Sequence, residues 1–136
     1  MSISYNGNIR LQRAYDDPTQ DDGYRVLVDR VWPRGRSKEQ LRLDTWARDI
    51  GPSAALRKWF GHEPARWATF QERYRAELAE PSRAQTLDAL AERARRGRVT
   101  LVFGARDAVH NQAQVIAAEL QRRLSRISAR SGRSSP

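Results

Sequence analysis

One stretch constrains this chain more than any other: Arg25-Val26-Leu27-Val28-Asp29-Arg30-Val31, stopped by Trp32-Pro33 and followed by Arg34-Gly35. The apolar residues alternate as in a strand, with Val26, Val28 and Arg30 on one face and Leu27, Asp29 and Val31 on the other. Proline cannot donate to a ladder and holds its predecessor extended, so the strand stops there and hands Asp29, Arg30, Trp32 and Arg34 to one end of a sheet. A second apolar run, Arg98-Val99-Thr100-Leu101-Val102-Phe103, reads as a buried strand. The long interval between the two is helical in pattern, which is what a parallel crossover requires.

Around these two strands the chain reads β-β-α-α-α-β-α. Asn8 to Tyr15 alternates as a half-buried strand, and a polar loop with Pro18 and Gly23 follows it. Ser37-Lys38-Glu39-Gln40 has capping-box spacing, so a short helical turn starts at Ser37. Leu43 to Ile50 fits either a short strand or an irregular segment. Ser53 is a candidate N-cap for Ala54 to Phe60. Trp67, Phe70, Tyr74 and Leu78 recur on one helix face. Ser82-Arg83-Ala84-Gln85 is read as a second capping box, opening a helix with Leu87, Leu90, Ala91 and Ala94 inward. Asp107 is expected to cap the last helix, with Ala113, Ile116, Ala117, Leu120 and Leu124 inward. The predicted fold is α/β: a single-domain sandwich with a small, mainly parallel sheet flanked by helices. Residues 1–124 form the domain, and 125–136 an Arg/Ser-rich tail without periodicity, expected to be disordered.

Charge and composition narrow the chemistry. The 136 residues carry a net charge of +9. Five arginines from Arg122 onward, with no acid among them, supply +5 of that, leaving an ordinary +4 on the body. Lys38 and Lys58 are the only lysines, a bias that lowers the value of any single arginine as a signal. With no cysteine, thiolate catalysis, disulfides and cysteine metal sites are excluded. No run of about 18 apolar residues exists to span a membrane. The first residues do not read as a signal peptide, so a cytoplasmic location is expected.

Ligands of parallel sheets bind beyond the carboxyl ends of the strands. One good strand ends in Arg30, Trp32 and Arg34, the other in Arg106, Asp107, His110 and Asn111. If the strands are neighbours, these groups meet at a helix N-terminus, a setting that favours an anion. Arginine forks match phosphate or carboxylate oxygens, and Trp32 can cover an apolar part of a ligand. The expected substrate-binding set is therefore Arg30, Trp32, Arg34, Arg106 and Asn111, with Asp107 and His110 as the acid–base pair. Plainer readings stand beside it: Asp107 as a helix cap with Arg30 as its ion-pair partner, and Trp32, Trp59 and Trp67 as core. Glu63 and Glu77 are expected to be solvated. A pair His62/His110 suits acid–base or metal chemistry, but without a ligand spacing rule no metal site is expected, and no cofactor.

Val28 to Gly35, Trp46, Ala55 to His62, Phe70 to Tyr74, and Thr100 to Asp107 with His110-Asn111 together resemble the DUF488 family, in its small YeaO-like branch. The likeness runs from about Ile9 to Leu124. It implies an α/β fold and no particular activity. Another branch of that family carries cysteines in the segment matching Phe103 to Asn111, ending in Cys-His-Arg. This chain has Asn111-Gln112-Ala113 there, so any thiol chemistry of that branch does not transfer.

Two functions are expected from these residues. The first is a protein that binds a phosphate-bearing or otherwise anionic small molecule at the strand ends, with action on it left open. The second is a nucleic-acid-binding accessory or regulatory protein, its basic tail touching phosphates nonspecifically. Neither reading involves a membrane, and the oligomeric state is not legible.

Overall fold

The computed structural model describes residues 3–5 and 8–134, with side chains for 8–127. Its centre is a five-stranded sheet of β1 (Ile3–Tyr5), β2 (Ile9–Arg13), β3 (Tyr24–Leu27), β4 (Thr45–Trp46) and β5 (Val99–Phe103), in the order β1-β2-β5-β3-β4. β2, β5, β3 and β4 are parallel, and only β1 at the edge runs antiparallel. The two strong strands are neighbours, with Val26 opposite Leu101 and Leu27 opposite Val102. β1 lies in a segment where no strand was expected, and Leu43–Ile50 resolves into β4 followed by a 3-10 turn.

The alternation of β3 sorts its side chains onto two unequal faces. Val26 and Val28 join Ile9, Leu11, Leu101 and Phe103 in the main core. That face is covered by α2 (Ala54–Phe60), α3 (Trp67–Leu78), α4 (Pro81–Arg96) and α5 (Gln112–Ser134). The inward residues expected on α4 and α5, Leu87, Leu90, Ala91, Ala94, Ala113, Ile116, Ala117, Leu120 and Leu124, are all buried. The other face is thinner. Leu27 and Val102 meet Ala14 and Leu41, the latter from α1 (Lys38–Leu41), under a partial cover of Trp32, Leu43 and Trp46. Beside them the Arg25 guanidinium is buried against Asp22, 2.6 Å away, and bonds the Leu41 carbonyl and Gln12.

Local signals explain most boundaries. Ser37 and Gln40 form the reciprocal capping box that opens α1. Ser53 caps α2 by accepting the Leu56 N–H. Its hydroxyl and backbone N–H both bond Glu77 on α3, so Glu77 is a tie between two helices and not the solvated residue its type suggested. α4 begins at Pro81 with Glu80 as N-cap, because proline suits the first helical position; Ser82 lies inside the helix, and the box expected there does not form. α5 is capped by Asn111, whose Oδ1 accepts from Ala113 and Gln114, and not by Asp107. α5 also continues to Ser134, past residue 125 where structure was expected to stop. The segment has three arginines and Ala129 in favour of helix and four serines and Gly132 against it, and no proline before Pro136 breaks it; the backbone continues helical without the apolar periodicity on which the expectation relied. Among the described residues no helix is long and apolar enough to cross a membrane.

Candidate functional site

The ladder of β3 stops at Leu27, four residues earlier than the apolar run suggests, apart from one more bond from Val28 N–H to the Val102 carbonyl. The chain then turns, and this decides where the strand-end residues go. Asp29 turns in under the sheet's end. Its Oδ2 accepts the Gly104 N–H at 2.8 Å, and its Oδ1 accepts from the Gln112 side chain at the start of α5. A Cβ on Gly104 would lie 2.9 Å from that Oδ2, so only glycine lets the carboxylate sit so close to the end of β5. The Asp29 carbonyl accepts the Trp46 indole N–H at 2.7 Å.

Arg30 is anchored next to it. Its Nε bonds the Pro52 carbonyl at 3.0 Å and its Nη2 the Gly51 carbonyl at 2.7 Å. It does not pair with Asp107. These residues line one side of a cavity of about 540 Å³ beyond the strand ends. Arg57, Lys58 and His62, from α2 and the turn after it, line another side, with Phe60 and Phe70 as apolar wall. His110 and Asn111 complete it from the β5–α5 connection.

That connection is built around Asp107. Its Oδ1 accepts the N–H groups of Val109 and His110, at 2.8 and 2.9 Å, and its Oδ2 meets His110 Nδ1 at 2.9 Å. Asn111 Nδ2 bonds the Asp107 carbonyl at 2.8 Å while its oxygen caps α5. Asp107 therefore caps a turn and also fixes a ring, and the His110 imidazole stands edge-on to Trp67 with centroids 5.4 Å apart. The His110 N–H, then its ring, then the Val109 N–H pull the Asp107 carboxyl down to about 2.

Asp29 behaves oppositely. Burial pushes it up to about 6, against the opposing pull of the Gly104 N–H, the Gln112 amide and the Arg57 charge. Two carboxylates flanking one cavity are thus set apart by environment, one desolvated and one held by N–H donors.

Of the expected site residues, the cavity takes Arg30, His110 and Asn111, with Asp107 behind His110. Trp32 lies elsewhere, on the thin face, edge-on to Trp46 and donating its indole N–H to the Arg36 carbonyl. Arg34 is exposed, with its backbone carbonyl bonded by Tyr15, and Arg106 is exposed too; neither lines the cavity. The early end of β3 is the reason: the alternation of faces does not extend past Leu27. Asp29, Arg57 and Lys58 were not in the expected set. A polar residue inside an apolar strand run was the available signal for Asp29; Arg57-Lys58 read as ordinary helix surface. His62 and His110 do share the cavity, but among the described residues no cluster of three His, Asp or Glu is placed to hold a metal ion.

A family model described as "Inactive DUF488-N3 subclade" matches residues 8–136. The chain is 46% identical over 110 residues to a protein of Escherichia coli K12 named uncharacterized protein YeaO, covering 81% of this chain and 94% of that one. It is 39% identical over 109 residues to uncharacterized proteins of Mycobacterium bovis and Mycobacterium tuberculosis, covering 80% of this chain and 90% of theirs. No solved structure matches it.

Proposed function

Since this chain belongs to the DUF488 family, matching the subclade described as inactive, we propose that it is a binding protein whose strand-end cavity holds a small anionic molecule. One observation carries the reading: a cavity of about 540 Å³, within the range of small-molecule sites, gathers Arg30, Arg57 and Lys58 against a wall of Phe60 and Phe70. Cations beside apolar surface suit a ligand with an anionic end and an apolar body. A phosphate is the best-matched anion, because a guanidinium can meet it in a fork while the Lys58 ammonium adds a point charge.

Asp107 and His110, expected to work as acid and base, serve here in recognition. The carboxylate holds Nδ1 and leaves Nε2 for the ligand. Arg34, Arg106 and Trp32 drop out of the clamp, and Arg57 and Lys58 take their place. The nucleic-acid alternative has less behind it among the described residues, where Arg122 and Arg123 are paired with Glu119 and Asp88.

A thermal-shift screen of small phosphates tests this. A ligand at a hundred times its dissociation constant adds about 2.7 kcal/mol to stability. At least one phosphate is expected to raise the melting temperature of the wild type and to do so much less in Arg57→Ala/Lys58→Ala. A panel that shifts neither protein, or both equally, refutes the proposal.

A further inference from the structure

The cavity has one feature that an anion alone does not explain. Among Arg30, Arg57 and Lys58 it contains a carboxylate, Asp29. That carboxylate is held from two elements: by the Gly104 N–H at the end of β5 and by Gln112 at the start of α5. The fold leaves no room for a Cβ at Gly104, so the close fit of carboxylate to backbone is built in. An ionised carboxylate offers about four acceptor positions, and these two bonds use one on each oxygen. The fold keeps this group despite burial that disfavours its charge.

We infer that Asp29 accepts a hydrogen bond from a hydroxyl of the bound molecule, which makes the ligand a hydroxylated anion of the sugar-phosphate class. An ammonium is the other donor a carboxylate attracts. Here three cationic side chains line the same cavity and repel it, whereas a hydroxyl is neutral and meets no such penalty. The anionic end faces Arg57 and Lys58, the hydroxyl end faces Asp29, and the C–H surface of the sugar suits Phe60 and Phe70. A fixed acceptor discriminates well, because a ligand that lacks the hydroxyl leaves a buried carboxylate position unmet. The inference rests on the cavity being the anion site proposed above, and its test separates the two.

Titration calorimetry with the full chain uses ribose 5-phosphate and n-butyl phosphate, which share the phosphate and differ in hydroxyls. The wild type is expected to prefer ribose 5-phosphate by at least about tenfold, the factor one hydrogen bond to a charged group supplies. Asp29→Asn should cut that preference to about threefold or less, while butyl phosphate binds at least as tightly as it does to the wild type, since a negative charge has left the anion site. Arg57→Ala/Lys58→Ala should weaken both ligands together. Equal wild-type affinities, or a preference that survives Asp29→Asn, overturn the role of Asp29 and leave the anion site standing. Binding of neither phosphate by the wild type overturns the anion site, and this inference with it.

Discussion

Replacing Asp29 by Asn should stabilise the protein at neutral pH. In the unfolded chain the carboxyl titrates near 3.8; in the fold, burial raises it to about 6. Below pH 3.8 the group is protonated in both states and costs nothing. Between 3.8 and about 6 the unfolded state loses its proton first, so stability falls as pH rises, and above 6 the loss is complete. A shift of about two units corresponds to about 3 kcal/mol. Asn removes the charge and can keep both bonds: its oxygen accepts the Gly104 N–H, and Gln112 turns its amide to accept from the new NH₂. The amide is itself desolvated, which returns part of the gain, so a net of about 1–2 kcal/mol is expected above pH 7. For a chain of this size that is a rise in melting temperature of about 3–6 °C. Scanning calorimetry of both proteins from pH 4 to 8 reads it directly: the advantage of Asn should shrink as pH falls and reverse towards pH 4, where the wild-type carboxyl is protonated in the fold and only the amide's own desolvation remains. An Asn variant less stable than wild type at pH 8, or a difference independent of pH, would refute the reasoning.

Other perturbations have equally definite outcomes. Asp107→Asn should lower the melting temperature only slightly at neutral pH, since Asn caps about as well as Asp and the charge that is lost is partly exposed, yet release His110. Nitrogen–proton correlation spectra of the ring should then show a tautomer mixture in place of a single Nδ1–H form. Gly104→Ala drives a Cβ to 2.9 Å from a held carboxylate oxygen and should cost about 1–3 kcal/mol in denaturant unfolding. Asp22→Ala strips the counter-charge from an Arg25 that is 4% exposed, and urea melts should show a loss of about 3–5 kcal/mol. Burial opposes ionisation of Asp22, but Thr19, Arg10 and Arg25 more than reverse it and lower its pKa. Its stabilisation is therefore present at neutral pH and lost as pH falls below the usual carboxylate range, a slope that Asp22→Ala should flatten.

The parts of this fold that were legible in sequence are those that bury a periodic face. Val26 and Val28 against Leu27, Phe70-Tyr74-Leu78, and Ile116-Ala117-Leu120-Leu124 each repeat with the period of their element, and burial follows the repeat. Where a ladder ends is set by partners, not by the residues themselves. Val31 looks like strand, yet β3 has lost its neighbours by then, and the side chain is 58% exposed. That single boundary sent Trp32 to the wrong face and Arg34 out of the site. The strand-end location of the site was legible because it follows from topology; most of its membership was not. A lone carboxylate such as Asp29 has no spacing rule, and its role depends on Gly104 and Gln112, far along the chain. Arg57 and Lys58 reach the cavity only because α2 packs beside the strand ends, a tertiary fact with no local signature.

The strand order also dictates when this protein can fold. β2 and β3, both within the first thirty residues, never pair with each other; β5 lies between them, and Ile9 and Tyr24 both sit opposite Val99. Every strand pair at the centre of the sheet must therefore close a loop of about seventy residues or more before any ladder bond compensates the entropy, which makes sheet assembly a slow and late event. During synthesis β2, β3 and β4 emerge early with apolar faces and no central partner, while α3 and α4 can already form from local contacts. The interval until Val99–Phe103 leaves the ribosome is when this chain is most exposed to aggregation, and insertion of that one strand completes the sheet and brings Gly104 and Ala105, which follow it, to the cavity.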